Sequence, residues 1–539
     1  MNPWQAFPVP PQRFEAWQGD RLVRCFADRP ASFHAMFERA VRERSRHDAV
    51  VFEGRRWRYA QADAEVRRAA HGLARHGVVR GERVALFISN RPEFIWVLLA
   101  LQRLGAIAVP IGVREQRTGL AYMLNQCGAR GVVFDAALAE RIPSADEAPG
   151  VTLRVSLGEA AGAVPYASWG AADAPQAPPA PVHESEVAVI LYTSGTTGHP
   201  KGAMLTHRNI AHSVLHFEAC MRLQADDRSA LAVPASHVTG LIAIIAAMLQ
   251  VGGVIVVVPE FKAADFVQTL ARERVTHTLM VPAMYKLCLM TPGFAQCDLT
   301  AWRVGGYGGA PMPVATIDAL AALLPGLTLL NAYGATETTS PATLMPAGLT
   351  RAHADSVGVA LPCADLRVMD EDGRELPPGQ TGELWIGGPM VVPGYWDNPQ
   401  ATAASFTAGY WHSGDLGAVD AEGFVRVFDR KKDMLNRGGF KIYSVEVENT
   451  LMALPGVVEA AIVGRPCPVL GERVHAFVHA PGMTPDDAAL LAHCRQHLAD
   501  YKVPETITWT ATPLPRNANG KVMKRDLRAR LTDAASPAG

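Results

Sequence analysis

The sequence lacks the marks of several large protein classes. Its eight cysteines (Cys25, Cys127, Cys220, Cys288, Cys297, Cys363, Cys467 and Cys494) include no C-x-x-C pair. That scatter suggests neither a zinc site nor a disulfide framework, and reduced, mostly buried thiols are expected. An excess of one charge is also missing. The formal net charge is -1 and no long basic run occurs, so attraction to nucleic acid or to an anionic membrane is not indicated. The opening MNPWQAFPVPPQRF has no basic region followed by an apolar core, and no secretory leader is expected. One uncharged run, residues 238–258, approaches the length of a membrane span. Gly252-Gly253 divide it into a helix-length piece and the β-branched run 254–258, so it reads as a buried helix followed by a buried strand. The expectation is a soluble, cytoplasmic chain.

What is present describes a globular protein. Apolar residues make up 49% and charged residues 19% of 539 positions, enough for more than one large core. Over the first 430 or so residues, strand-like and helix-like segments alternate. Residues 83–88 read as a strand, 92–104 as a helix ended by Gly105, and 106–111 as a short strand. The pattern repeats at 120–125 and 131–135. Such alternation implies parallel sheets with crossover helices. Residues 175–181 form a Pro/Ala-rich connector. From about 355 short strands and turns take over, as at 382–387 and 423–428. After a charged stretch at 429–433 a small α+β tail follows, with Ser444 expected to cap a helix and strands at 457–463 and 473–478.

The densest polar feature follows an apolar strand at 187–192. Thr193, Ser194, Thr196 and Thr197 offer hydroxyl donors, Gly195 and Gly198 allow close backbone approach, and Lys201 adds a positive charge. Together they make a phosphate cradle. It is not a P-loop, because Lys201 stands three residues after Gly198 and is followed by Gly202. Four other clusters stand in order along the chain: NAYGATETT at 331–339, WHSGDL at 411–416, the segment 429–448 with Gly438-Gly439, and PRNANGK at 515–521. Taken singly, Glu337 could cap a helix, Asp415 could close an Asx-turn and Lys521 could be a solvated tail charge.

Five motifs in this order resemble the adenylate-forming superfamily, and within it the acyl- and aryl-CoA ligases, over about residues 33–527. The resemblance implies an α/β fold: an N-terminal domain over 1–429, of two αβα subdomains plus a small β-barrel (about 355–429), a hinge at 430–432, and a mobile C-terminal α+β domain over 433–539. It implies that Thr193, Ser194, Gly195, Thr196, Thr197 and Lys201 grip the β- and γ-phosphates of ATP. Gly309, Ala310, Pro311, Asn331, Ala332 and Tyr333 match the adenine segments and Thr336 the α-phosphate contact. Glu337 matches the Mg2+ ligand, a hard carboxylate suited to a cation already held by phosphates. Asp415, assisted by Arg430, matches the ribose acceptor, and Lys521 the lysine at the substrate carboxylate and α-phosphate. Lys432 falls at the pivot of domain rotation, which would bring Gly438, Gly439 and Lys441 toward the pantetheine of CoA.

The chemistry explains those residue types. A carboxylate attacks a negative α-phosphate slowly unless cations offset the repulsion and donors hold the departing pyrophosphate. CoA thiolate then attacks the acyl-adenylate and releases AMP. The segments matching the acid pocket (237–241, 281–285, 305–310 and 332–339) contain no Arg or Lys. A second carboxylate there would be buried unpaired, which favours a hydrophobic monocarboxylic acid, medium-chain fatty or aryl. His237 stands at the gate position of related ligases. Gly240, Ala283, Gly306 and Gly308 are expected to leave room, with Tyr307 and Met284 limiting length. The rival readings are an enzyme that loads a carrier-protein phosphopantetheine and a silent nucleotide-binding protein. A carrier domain after Lys521 is not expected, and the intact set of motif residues opposes the silent reading. A homodimer is left open.

Overall fold

The computed structural model describes residues 4, 9–17, 21–170, 179–193, 199–516 and 522–533. The chain forms two compact units. The first comprises Met1–Leu366, Trp385–His412 and Glu422–Val425, the second Arg367–Leu384, Ser413–Ala421 and Arg426–Gly539. Strands Asp365–Met369, Gly382–Gly387, Phe406–Thr407, Tyr410–Val419 and Val425–Arg430 give the β-rich texture expected after 355, shared out between the units.

In the first unit, among the described residues, two large mixed sheets of seven and nine strands carry the core. The helix Pro92–Leu104 shows why the sequence folds this way. Pro92 begins it, Gly105 ends it in the left-handed region, and ten of its thirteen residues are buried. A helix apolar all round belongs in an interior. Around it run the parallel strands Arg83–Phe87, Ile107–Pro110 and Gly131–Asp135. The apolar run expected to be helix then strand begins with the wide π-helical turns Thr239–Ala246, continues as Ala247–Val251 and stops at Gly252 with φ +74°. The strand Val254–Val257 follows. No helix among the described residues is long and apolar enough to cross a membrane. All eight cysteines are free, and only Cys297 is not buried.

Two features of this unit set up a ligand site. Strands His277–Met280, Val304–Tyr307 and Thr328–Tyr333 run parallel, with Met280, Tyr307 and Asn331 in register. Their carboxyl ends lie together, the edge at which open α/β sheets take ligands. In the other sheet Val187–Thr193 and Lys201–Thr206 form an antiparallel hairpin that closes at the pair Thr193 and Lys201. Residues 194–198 between them lie outside the described residues.

In the second unit the hairpin Glu459–Cys467 and Gly471–His479 is extended by Thr506–Thr510 and by Leu435–Arg437 with Phe440–Ile442. Val447 and Leu451 from helix Ser444–Met452 and Leu490 from helix Asp487–His497 pack on Ile462, Val474 and Ala476. Ser444 corrects one expectation. It is the first helical residue and caps nothing with its side chain, because its hydroxyl donates to Asp429 at 3.0 Å.

Candidate active site

The first unit gathers the phosphate hairpin and the acid at 337. Thr336–Thr338 form one 3-10 turn just beyond strand Thr328–Tyr333. Glu337 is 7% exposed, and its Oε1 accepts hydrogen bonds from the Thr193 hydroxyl at 3.3 Å and the Tyr395 hydroxyl at 2.9 Å. Burial and the adjacent carboxylate push the Tyr395 phenol far up, so it stays a donor. The Lys201 ammonium lies 5.1 Å from the centre of the Tyr395 ring. Tyr395 thus joins the hairpin lysine to the acid. It is held by backbone pairing: Tyr395 bridges Ala203, the Trp396 N–H donates to the Gly202 carbonyl, and the Met204 N–H donates to that of Gly394. Sequence reasoning missed Tyr395, whose partner stands 58 residues away. The Gly-Tyr pair after Pro393 was the only signal.

Glu337 makes no ion pair among the described residues, and Oε2 has no hydrogen-bond partner there. A buried carboxylate with one oxygen taken by hydroxyls and one left fits Mg2+, which takes one or two carboxylates and completes its shell with phosphates and water. Of the expected phosphate contacts, Thr193 meets the acid and Lys201 lies over the Tyr395 ring, while Ser194, Gly195, Thr196 and Thr197 fall outside the described residues.

The adenine-matching segments stand side by side at the sheet edge. Gly309 has φ +79°, and Ala310 and Pro311 continue an exposed turn. A Cβ at Gly308 would sit 2.3 Å from the Ala332 carbonyl oxygen, so the two strand ends touch. Asn331 is buried and spends its amide on the Ser356 carbonyl at 3.1 Å. Ala332 is buried and Tyr333 half-buried.

The acid-pocket expectations change. Added Cβ atoms at Gly240 and Gly306 would meet the Pro234 carbonyl oxygen at 2.3 Å and Leu279 at 3.0 Å. These glycines, with Gly308, serve close packing rather than open room, and Ala283 is exposed. Tyr307 shares its strand face with Gly305, which lies against the Tyr285 hydroxyl, while Gly306 faces Leu279 and Met221 on the other side. Tyr285 donates to the Gly306 carbonyl at 2.7 Å and stacks on Trp302. Met284 is buried. His237 accepts the Thr239 N–H on Nδ1 at 3.3 Å. Burial lowers its pKa, so the ring is neutral with the proton on Nε2.

The second unit holds the remaining residues. Asp415 is 4% exposed and pairs with Arg430 at 2.5 Å. Its turn is fixed by the Ser413 hydroxyl, which accepts the Asp415 N–H, and by Glu383, which accepts the Gly414 N–H at 3.1 Å. Lys432 and Lys441 are exposed. Gly438 and Gly439, with φ +59° and +90°, are the central residues of a two-residue hairpin turn, where positive φ demands glycine. Lys521 lies outside the described residues.

The fold is that of adenylate-forming enzymes. The chain belongs to the AMP-binding enzyme family, whose model matches residues 37–396, with the AMP-binding enzyme C-terminal domain matching residues 446–521. It is 36% identical over 489 residues to a feruloyl-CoA synthase of Amycolatopsis sp, covering 90% of this chain and 96% of that one. It is 32% identical over 476 residues to the long-chain-fatty-acid–CoA ligase FadD13 of Mycobacterium tuberculosis, covering 88% and 93%. Among solved structures, the anthranilate CoA ligase AuaEII in complex with anthranoyl-AMP superposes with a TM-score of 0.86 at 26% identity, covering 94% and 98%. The protein is an enzyme of the acid–thiol ligase class, from a family of acyl- and aryl-CoA ligases that use ATP and CoA.

Proposed function

We propose that the enzyme adenylates a hydrophobic monocarboxylic acid, aryl or medium-chain fatty, and passes the acyl group to CoA with release of AMP and pyrophosphate. The observation that carries the choice of acid is the missing cation: segments 237–241, 281–285, 305–310 and 332–339 hold no Arg or Lys, and Leu241, Met284, Tyr285 and Tyr307 among them are buried. One carboxyl group reacts, and a second would find no partner. A relative named for feruloyl-CoA and one named for long-chain fatty acids support a hydrophobic monocarboxylic acid, though not its chain length.

Each residue then has a task. Thr193 and Lys201 hold the outer phosphates, with Lys201 fixed over the Tyr395 ring. Glu337 would hold Mg2+, which when bound offsets the phosphate charge. Tyr395 and Thr193 orient the Glu337 carboxylate. Asp415 accepts the ribose hydroxyls, Thr336 meets the α-phosphate, and Lys521 brings the acid and the α-phosphate together. His237, neutral, lines the path of the acid. Pyrophosphate release with ATP should be fast for aryl and C6–C12 monocarboxylates and at least ~100-fold slower for malonate and succinate, the scale for leaving a charge unpaired. Omitting CoA should leave acyl-AMP as product. Turnover of a dicarboxylate above all monoacids, or transfer only to a carrier protein, would reject this reading.

A further inference from the structure

The segment 429–433 in the second unit is tied by a buried cluster that none of the roles above uses. Asp429, 2% exposed, accepts the backbone N–H of Ser444, that of Arg430 at 2.7 Å and the Ser444 hydroxyl at 3.0 Å. The Ser444 hydroxyl itself accepts the Lys524 ammonium at 2.5 Å. Lys524 also pairs with Glu448 at 2.7 Å, and Glu448 accepts the Ile462 N–H at 2.8 Å. Buried Asp429, through Ser444, and half-buried Glu448, directly, thus share one ammonium. Burial raises the pKa of both, and Lys524 is the largest opposing influence on each. One turn further along helix Lys524–Asp533, Arg528 pairs with Asp433 at 2.9 Å.

The order of these residues along the chain matters. Asp429 precedes Lys432, whereas Ser444, Glu448 and Lys524 all follow it. Any rotation about Lys432 must therefore break or rebuild the bonds from Ser444 to Asp429. Arg528 pairs with Asp433 and also donates to the Lys432 carbonyl at 3.4 Å, so it reaches the pivot but makes no bond to Asp429. We propose that Lys524 is a positioning residue: acting through Ser444 on Asp429, it latches the chain across Lys432 and so favours one of the two domain orientations that the half-reactions use. The inference rests on the reading above, in which an adenylating ligase pivots at Lys432. A latch with buried charge on both sides is a bistable element, because its groups are satisfied in one arrangement and exposed or repaired in the other.

The test separates the half-reactions in the full-length enzyme. Adenylation is read by ATP–pyrophosphate exchange with the preferred acid, and thioester formation from supplied acyl-AMP and CoA. Lys524→Met should change the ratio of the two rates by at least ~10-fold, about the shift from losing 1.4 kcal/mol of bias. Ser444→Ala should shift it in the same sense and less, while Lys524→Arg should restore it. Arg528→Met should leave it within about twofold, as expected for a side chain that makes no bond to Asp429. Energy transfer between a label before residue 366 and one after residue 444 reads orientation without turnover, and should shift in Lys524→Met and Ser444→Ala only. Equal loss of both half-reactions with unchanged transfer would overturn the latch, as would a shift of the same size in Arg528→Met. If Lys524→Met does not fold, Ser444→Ala decides alone by the same readings. A wild-type enzyme without exchange for any acid would contradict the proposed function, and energy transfer would still judge the latch.

Discussion

Each unit of this enzyme buries carboxylates, and the two units treat them differently. In the first, Glu337 is held by two hydroxyls on one oxygen and makes no ion pair among the described residues. In the second, Asp429 and Glu448 converge on the ammonium of Lys524, directly or through Ser444. Hydroxyl donors orient a carboxylate but leave its charge in place, whereas an ammonium cancels it. A buried charge without a counter-ion costs several kcal/mol, which a fold tolerates at a site waiting for a cation. The first arrangement suits metal-bound triphosphate. The second suits a joint.

The contrast predicts opposite outcomes for neutralising substitutions, and this is the largest expected effect. Lys524→Met leaves two carboxylates facing each other and should lower unfolding free energy by about 3–5 kcal/mol, the range for breaking a buried pair. Glu337→Gln keeps the hydroxyl contacts and removes a carboxylate that has no ion pair among the described residues, so urea unfolding of the ligand-free enzyme should show no loss. Equal destabilisation by both would erase the distinction. Next comes the cation assigned to the reaction itself. Lys521→Ala should slow adenylation at least ~100-fold, as for losing one preorganised stabiliser, while thioester formation from supplied acyl-AMP largely survives. Single-turnover measurement of each step checks it.

A third prediction uses pH. Helix His207–Met221 buries His207, His212 and His216, and burial lowers their pKa values to about 4, 4 and 3. The unfolded chain, with histidine near 6.5, binds more protons in the acid range. The stability is fully present above about pH 6.5 and is lost as pH falls toward the folded values, about 2 kcal/mol per histidine by pH 5. In the second unit His475, lowered to about 4, acts in the same sense. Asp429 and Glu448 act oppositely. Their raised values give stability that is present at low pH and lost as pH rises through the folded values. Acidification from pH 7 to 5 should therefore melt the first unit before the second, which hydrogen exchange resolved by segment can read. The smallest effect is expected for Tyr395→Phe, which deletes one hydroxyl from Glu337 and keeps the ring under Lys201. It should raise the Mg2+ needed for half-maximal exchange by ~10-fold, the worth of about 1.5 kcal/mol from one bond to a charged group.

Much of this was legible because the chemistry of the family sits in contiguous motifs. The helix Pro92–Leu104 carries its own start and stop, and strand Gly382–Gly387 its own pattern. The strands on either side of the hydroxyl-rich run are legible from their apolar residues, and they pair as far as Thr193 and Lys201. What stayed hidden depends on contacts distant in sequence. Tyr395 reaches Glu337 through a bridge to Ala203, and no local period marks such a bridge. Ser444 looks like a cap because Glu446 and Glu448 follow it, yet Asp429 takes its hydroxyl. The glycines at 240, 306 and 308 look like pocket space, but in the fold backbone and side chains fill it.

Glu337, buried and without an ion pair among the described residues, is the residue assigned to a metal that arrives with ATP. Calorimetric titration of ATP into the acid-free enzyme, with Mg2+ and with EDTA, tests this assignment most directly. The wild type should bind ATP more tightly with Mg2+ than without. Glu337→Gln should lose that difference while binding metal-free ATP at least as tightly as the wild type, since a repelling charge is gone. If Glu337→Gln retained the full Mg2+ enhancement, the carboxylate held by Tyr395 and Thr193 would be a packing element, and the account of this corner would be wrong.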